Sequence, residues 1–500
     1  MKQRMSCSLV LLASLALPAL AAEPAETLDA YVRQVVEDWE VPGLAIAVVK
    51  DGELVFAEGY GTTEIGGSEA VDEHTLFAIG STTKAMTAAL LGTLVDQELM
   101  GWDDAAVDHL PGLRLHDPWV TRELTVRDLL THRAGLGNAD LLWYGADRSR
   151  AEILRKLARV EPAYSMRDGF IYQNIMYIAA GELAAAVAGS SWEEMLVERL
   201  LDPLEMRRTR PTLGGAAPMP NVAAPHDRVD GRVSRIENAS VDSAGPAGSV
   251  WSSVDDMSRW LRMLLAGGER NGRRLLSADV VRAVLEPQTL LDLSAFYPVV
   301  ELIEPHWTTY GLGWFQLDYQ GRAVSFHTGS IDGMAAIAGL IPEERLGVVV
   351  LENLDHAECR HALLWKVFDL WGDGAAERDW SAELRQLYAE RAREAEATEA
   401  AQREARVGDT SPSVPLERYA GTYGHPVYDE IGVIFDDGRL FLEVGPGLRG
   451  WLSHWHYDTF ELSFERPHQG TTPATFSLGS DGSPVRLEVM GLTWDRTSDD

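Results

Sequence analysis

The chain has 500 residues, 46% hydrophobic and 24% charged, enough for two or three domains with real cores. Lys and Arg total 44 against 76 Asp and Glu, a formal net charge of -32. So acidic a surface repels polyanions, which argues against nucleic acid and anionic membranes as partners but says little about fold.

The first 21 residues read as a signal peptide. Lys2 and Arg4 supply a basic start, residues 8–20 an apolar stretch, and Ala19-Leu20-Ala21 a small-x-small cleavage site. The apolar stretch is short for a bilayer span, so the expectation is a periplasmic or secreted protein without a stable membrane span. A retained N-terminal anchor is the rival reading. Cys7 would leave with the leader, so Cys359 remains as a lone thiol and no intramolecular disulfide is expected. Cys359 falls in a predicted helix, where packing is the expected role.

Two apolar runs, 43–49 and 53–59, flank Lys50-Asp51-Gly52 and predict a hairpin. Helical spacing of apolar residues follows over 82–98, 126–132, 151–159 and 175–188. The Gly-, Ala- and Pro-rich stretch 211–249 reads as loops. Residues 253–266 predict a helix capped by Ser252 or Ser253, with Asp255 and Asp256 in its first turn. Strands are expected over 310–318, 322–327, 334–341 and 346–352, then a helix over about 357–371. A hairpin at one end, strands at the other and helices between predict an α/β unit over 22–372, its sheet closed by pairing early and late strands. A helical, charged linker is expected over 373–415. Period-two strands over 416–497, with turns at Asp436-Asp437-Gly438 and Asp481-Gly482-Ser483, predict a small all-β barrel or sandwich.

Three short elements carry chemistry. Ser81 and Lys84 lie three apart at a helix start, which puts both side chains on one face. A serine hydroxyl needs a base, and a lysine of lowered pKa can serve. Tyr172 and Asn174 precede an apolar helix; a tyrosine can pass a proton to a leaving group and an asparagine amide can hold a carbonyl. His327, Thr328, Gly329 and Ser330 end an apolar strand, where the glycine permits close approach and the next amide can donate to an oxyanion. Taken singly, each element also fits a plain structural role: a capped helix start, a helix-start turn, and a strand-end turn.

In this order and spacing the three elements resemble the Ser-x-x-Lys, Tyr-x-Asn and Lys/His-Thr-Gly motifs of serine β-lactamases, DD-peptidases and the related esterases and D-aminopeptidases. LTVRDLLTHRAG (124–135), DPLEM (202–206), AGPAGS (244–249) and YGLGW (310–314) are similar to the class C-like branch. YAGTY (419–423) and HWHYDTF (454–460) are similar to a small lipocalin-like β domain that accompanies some of these hydrolases. The resemblance implies a β-lactamase/transpeptidase-like fold, an antiparallel sheet flanked by helices with an all-helical lobe. It implies Ser81 as the acyl-enzyme nucleophile and proton transfer shared by Lys84 and Tyr172, with the base left open. Asn174 would bind the acyl amide, the Ser81 and Ser330 N–H groups would form the oxyanion hole, and His327, Thr328 and Gly329 would line the far wall.

One departure matters. The lactamases and DD-peptidases usually carry lysine at position 327; histidine is mostly neutral above about pH 6.5 and suits a substrate carboxylate less well. The expectation is therefore small ester or amide substrates: short esters, D-amino acid amides or small peptides. β-Lactam or peptidoglycan peptide hydrolysis, and binding through the C-terminal unit, remain alternatives. Neither a metal nor an organic cofactor is implied. His454 and His456 alternate on a predicted strand but lack further ligands, and His132 reads as structural.

Overall fold

A computed structural model describes residues 23–372 and 377–497. The predicted leader, residues 1–21, lies outside the described residues. The chain opens with α1 (Pro24–Trp39), followed by β1 (Gly43–Lys50) and β2 (Glu53–Gly61), the expected hairpin. Then comes α2 (Thr83–Asp96), in which every residue from Thr83 to Leu94 is buried. A helix apolar on all sides belongs inside a core, and α2 runs beside the equally apolar α3 (Asn174–Ala188) at the centre of a helical lobe. Next is α4 (Val254–Leu265); of the two candidate caps it is Ser253 whose side chain accepts from the Asp256 amide.

Six further strands complete the sheet: β3 (Thr289–Leu290), β4 (Thr308–Tyr310), β5 (Phe315–Tyr319), β6 (Arg322–Ile331), β7 (Met334–Ile341) and β8 (Leu346–Glu352). Their order is β2-β1-β8-β7-β6-β5-β4-β3, antiparallel throughout, so the early hairpin pairs with the last strand as expected. β7 and β8 are buried along their whole length because both faces are covered. Leu44, Ile46, Ile337 and Val350 face α1 and α5 (Cys359–Trp371), while Ala45, Ala47, Ala338 and Leu351 face the helical lobe.

Two expectations need correction. The run 310–318 is two strands, because residues 311–314 form a tight turn pressed onto α2. Gly313 sits at φ +86, and a Cβ there would lie 2.8 Å from the Ala85 nitrogen. The stretch 211–249 is not all loop; it contains a hairpin, His226–Val229 with Arg232–Arg235, and the short helix Leu213–Ala216.

Helix α6 (Trp380–Glu404) is buried only near its start, and farther along Arg391 pairs with Glu301. Trp380 and Leu384 are buried, and the Trp380 indole donates to Asp369 at 2.8 Å; residues 389–404 are exposed. The C-terminal strands are β9 (Gly421–His425), β10 (Asp429–Asp436), β11 (Arg439–Gly445) and β12 (Leu448–His456), then β13 (Thr459–Phe464), β14 (Thr471–Leu478), β15 (Pro484–Val489) and β16 (Leu492–Arg496). They close into an eight-stranded barrel, rather than a sandwich, through pairing of β9 with β16. Tyr423, Leu442, Phe460, Phe476 and Trp494 alternate inward and are buried. The barrel rests on the 140–160 segment of the lobe. The Gly447 amide donates to the Gly145 carbonyl at 3.0 Å, and Arg148 donates to the Tyr428 carbonyl at 2.8 Å.

Candidate active site

Ser81 sits in a single 3₁₀ turn, Gly80–Thr82, that leads into α2. One turn on, the Lys84 Nζ is fully buried and has three oxygen partners: Ser81 Oγ at 2.9 Å, Asn174 Oδ1 at 2.8 Å and the Ala247 carbonyl at 2.8 Å. Burial drives its pKa well below the ordinary lysine value, and the Asp140 carboxylate opposes that in part. A neutral amine keeps two N–H groups, which satisfy Asn174 and Ala247. Its lone pair is then free to accept the Ser81 proton.

Tyr172 lies in the extended residues just before α3, and its ring centroid is 4.7 Å from Lys84 Nζ. Burial raises its hydroxyl pKa well above 10, with a hydrogen bond to Ser81 acting the other way, so the phenol stays protonated. The ring rests on His132 at a centroid distance of 4.3 Å. His132 adopts φ 56, is fully buried, and its Nδ1 accepts the Gln173 amide at 2.9 Å. It therefore fixes the segment that carries Tyr172 and Asn174, the structural role expected of it.

On the opposite wall, His327 is buried in β6. Its Nδ1 lies 2.6 Å from the Thr328 carbonyl and its Nε2 3.0 Å from the Tyr310 hydroxyl. A carbonyl only accepts, so Nδ1 carries the proton and Nε2 accepts from Tyr310. Burial, together with repulsion from Lys84, pushes the imidazole down to about 3, so it is neutral at physiological pH. Thr328 Oγ1 is hydrogen-bonded to the Tyr297 hydroxyl. Gly329 is where strand and nucleophile turn cross. A Cβ there would meet the Ile79 oxygen at 1.9 Å and the Ser81 nitrogen at 3.0 Å, and one on Gly80 would meet the Ser330 nitrogen at 2.6 Å. The Ser81 and Ser330 backbone nitrogens thus both lie at this crossing.

The residues singled out in the sequence, Ser81, Lys84, Tyr172, Asn174, His327, Thr328, Gly329 and Ser330, therefore gather in one place. Others were not read from the sequence. The Asp140 carboxylate takes the Asn174 amide nitrogen at 3.3 Å on both oxygens and the Trp143 indole at 2.7 Å, which aims Asn174 Oδ1 at Lys84. The Arg360 guanidinium, 2% exposed, donates to the Gly329 carbonyl at 2.7 Å and Ser330 Oγ at 2.9 Å from behind the strand. Glu358 pairs with it at 3.0 Å. Tyr310 and Ala247 lie in segments already singled out, YGLGW and AGPAGS; Asp140 and Arg360 belong to no such segment. Beside Ser81 opens a cavity of about 100 Å³ that also touches Trp143, Tyr144, Asn174, Ser330 and Asp332.

No group of three or more His, Cys, Asp or Glu placed to hold a metal occurs among the described residues. His454 Nε2 lies 3.0 Å from the Tyr457 carbonyl and His456 Nδ1 accepts the Val407 amide at 3.2 Å, so both serve the local structure. Among the described residues no single helix is long and apolar enough to cross a membrane.

Comparison with known proteins follows this geometry. The Beta-lactamase family profile matches residues 28–369, and a profile described as a domain of unknown function, DUF3471, matches 405–499. The unguisins hydrolase ungD of Aspergillus violaceofuscus is 29% identical over 499 residues, covering 93% of this chain and 87% of that protein. Penicillin-binding protein 4 of Amycolatopsis lactamdurans is 29% identical over 320 residues, 63% of this chain and 81% of that one. Among solved structures, the octameric penicillin-binding protein homologue from Pyrococcus abyssi aligns with TM-score 0.61 at 20% identity over 94% of this chain and 98% of that one. SurE aligns with TM-score 0.56 at 22% identity over 95% of this chain and 99% of that one, and at these identities both likenesses speak for the fold alone. The chain belongs to the Beta-lactamase family and is a hydrolase of that family, with a closed eight-stranded barrel at its C-terminal end.

Proposed function

We propose that this protein is an exported serine hydrolase that cleaves small ester or amide substrates through a Ser81 acyl-enzyme. The observation that carries the proposal is the set of three oxygens around the buried Lys84 Nζ, one of them Ser81 Oγ at 2.9 Å. Neutral Lys84 takes the Ser81 proton as Oγ attacks the carbonyl carbon. The Ser81 and Ser330 N–H groups hold the oxyanion. Tyr172, kept protonated by burial, gives its proton to the leaving group and recovers one from Lys84. Water then hydrolyses the acyl-enzyme over the same groups.

The neutral His327 favours esters and amides over substrates gripped by a carboxylate, because it offers no positive charge at physiological pH. A relative named as a hydrolase spans nearly the whole chain, barrel included, which fits hydrolysis by the complete architecture. Export is supported by the leader read in residues 1–21, and a periplasmic or secreted location is the reading that goes with it.

The test compares a short-chain nitrophenyl ester, a D-amino acid nitroanilide and a chromogenic cephalosporin, each with the wild type and Ser81→Ala. Turnover of the ester or anilide that disappears in the variant supports the proposal. Preferred cephalosporin turnover moves the assignment to β-lactam hydrolysis. Full activity in Ser81→Ala overturns the mechanism.

A further inference from the structure

Arg360 is a buried cation in a place that does not favour one. It is the second residue of α5, where the helix dipole already presents partial positive charge. Taking a charged pair out of water is costly, and well-packed apolar side chains would join α5 to the sheet at least as stably. The side chain nevertheless runs to the back of β6 with only 2% of its surface exposed. Packing alone gives no reason for a guanidinium there.

Its nitrogens divide between two faces. Nε and Nη2 donate to the two Glu358 carboxylate oxygens, at 3.4 and 3.0 Å. Nη1 turns to β6, donating to the Gly329 carbonyl at 2.7 Å and to Ser330 Oγ at 2.9 Å, with the Ala336 carbonyl of β7 at 3.5 Å. The ion pair is neutral as a whole, so what acts on the strand is a dipole with its positive end against one peptide group. In that group the Gly329 carbonyl and the Ser330 N–H share one amide plane, and the peptide is trans, so they point in opposite directions. Arg360 stands at the oxygen end. The Ser81 turn stands at the nitrogen end, where a Cβ on Gly80 would lie 2.6 Å from the Ser330 nitrogen. A charge-assisted bond to an amide oxygen draws electron density from nitrogen to oxygen and leaves the N–H more positive. Linked hydrogen bonds strengthen one another in this way by roughly 10–30% per bond.

We propose that Arg360 is a positioning residue for catalysis: acting through the Gly329–Ser330 peptide, it polarises the Ser330 N–H and so strengthens the oxyanion hole, while Glu358 holds the guanidinium in place. Arg360 itself touches neither Ser81 nor the substrate. The proposal rests on the Ser81 acyl-enzyme reading and adds to it a residue that no motif contains. The effect grows with the charge on the substrate oxygen, so it is largest in the tetrahedral state and small in the bound ground state.

The test uses the full-length protein with p-nitrophenyl acetate and phenylboronic acid. The acetate reports turnover. The boronic acid becomes tetrahedral when Ser81 Oγ adds to boron, which places an oxygen at the two amides as the reaction does. Glu358→Gln/Arg360→Gln removes both charges together, so no buried ion is left unpaired. Arg360→Lys keeps a cation and loses the fork. Kinetics are read below each variant's melting midpoint, with near-UV circular dichroism as the check on folding. In the double variant kcat/KM is expected to fall about tenfold, a fraction of the roughly 10²–10³-fold lost with a whole oxyanion donor, and the boronic acid Ki to rise by a similar factor. Arg360→Lys is expected to stay within about threefold of wild type in both while melting at a lower temperature. A bracing role alone predicts the reverse, with melting that follows the fork and kinetics that do not change. A folded double variant with kcat/KM and Ki within about twofold of wild type overturns the proposal, as does an Arg360→Lys protein slowed more than about tenfold. In both cases acetate turnover that is lost in Ser81→Ala still supports the acyl-enzyme. If the wild type shows no Ser81-dependent turnover, the acyl-enzyme reading falls and the role of Arg360 falls with it.

Discussion

Gly329→Ala tests whether the oxyanion hole depends on the close crossing of two backbones. A Cβ at Gly329 would stand 1.9 Å from the Ile79 oxygen, 2.8 Å from the Ile79 carbonyl carbon and 3.0 Å from the Ser81 nitrogen. All three are main-chain atoms, so no side chain can rotate away. Restoring even a 3.0 Å approach to the Ile79 oxygen needs a displacement of about 1.1 Å between β6 and the nucleophile turn. Both are anchored, Arg360 holding the Gly329 carbonyl and α2 carrying the turn, so the strain falls on the gap between the Ser81 and Ser330 amides. A misplacement of about 1 Å in a reacting geometry costs roughly 100-fold in rate, and overpacking of this kind costs about 1–3 kcal/mol of stability. The assay pairs steady-state kinetics on an ester substrate with thermal unfolding. Gly432→Ala is the control, since a Cβ there meets nothing within 4 Å. A Gly329→Ala protein that stays folded and keeps kcat within about twofold refutes the two-amide oxyanion hole.

Two further perturbations probe the charges behind the site. Activity requires neutral Lys84, so kcat/KM rises as pH climbs through its depressed pKa; because Asp140 raises that pKa, Asp140→Asn moves the rise to lower pH. The same change loosens Asn174, and kcat at the plateau is expected to fall roughly tenfold; a pH–rate profile superimposable on the wild type contradicts both effects. Glu352, wholly buried next to Cys359, is pushed up to about 8 by burial. Between its ordinary value near 4.5 and 8 the folded state holds a proton that the unfolded state has lost, so stability falls as pH rises through this window. Glu352→Gln removes that dependence and should melt higher than wild type at pH 9, by on the order of a few kcal/mol, with little difference at pH 5. Parallel melting curves at the two pH values check it, and an equal shift at both would contradict the linkage.

Much of the fold is legible because its signals are local. The apolar run after Ser81 has no polar face, which marks α2 as a core helix, and the alternation after residue 416 marks strands. The split of 310–318 is not local. GLGW reads as strand until α2 presses against it, and only then does Gly313 have to turn. The hairpin at 226–235 hides in a Pro- and Ala-rich stretch because its strands are short and only His226 in them is buried. The site divides the same way. Ser81 and Lys84 are three apart, so spacing alone suggests their contact. The other two Lys84 acceptors lie 90 and 163 residues away, and no periodicity joins them. Asp140 opens a single 3₁₀ turn, Asp140–Leu142, that no sequence pattern marks, and it becomes visible only when Asn174 is placed against it.

The charge layout around Ser81 ties these parts into one argument about substrate polarity. Three groups near the nucleophile could supply positive charge, and each is accounted for. Lys84 is shifted toward its neutral form by burial, His327 is neutral above about 3, and the Arg360 charge is met by Glu358 and spent on the Gly329 carbonyl and Ser330 Oγ. The leaving-group side therefore offers hydroxyls and a neutral imidazole, and no exposed cation to hold a carboxylate. A substrate with an uncharged leaving group matches that end, whereas one that needs a cation beside its leaving group does not.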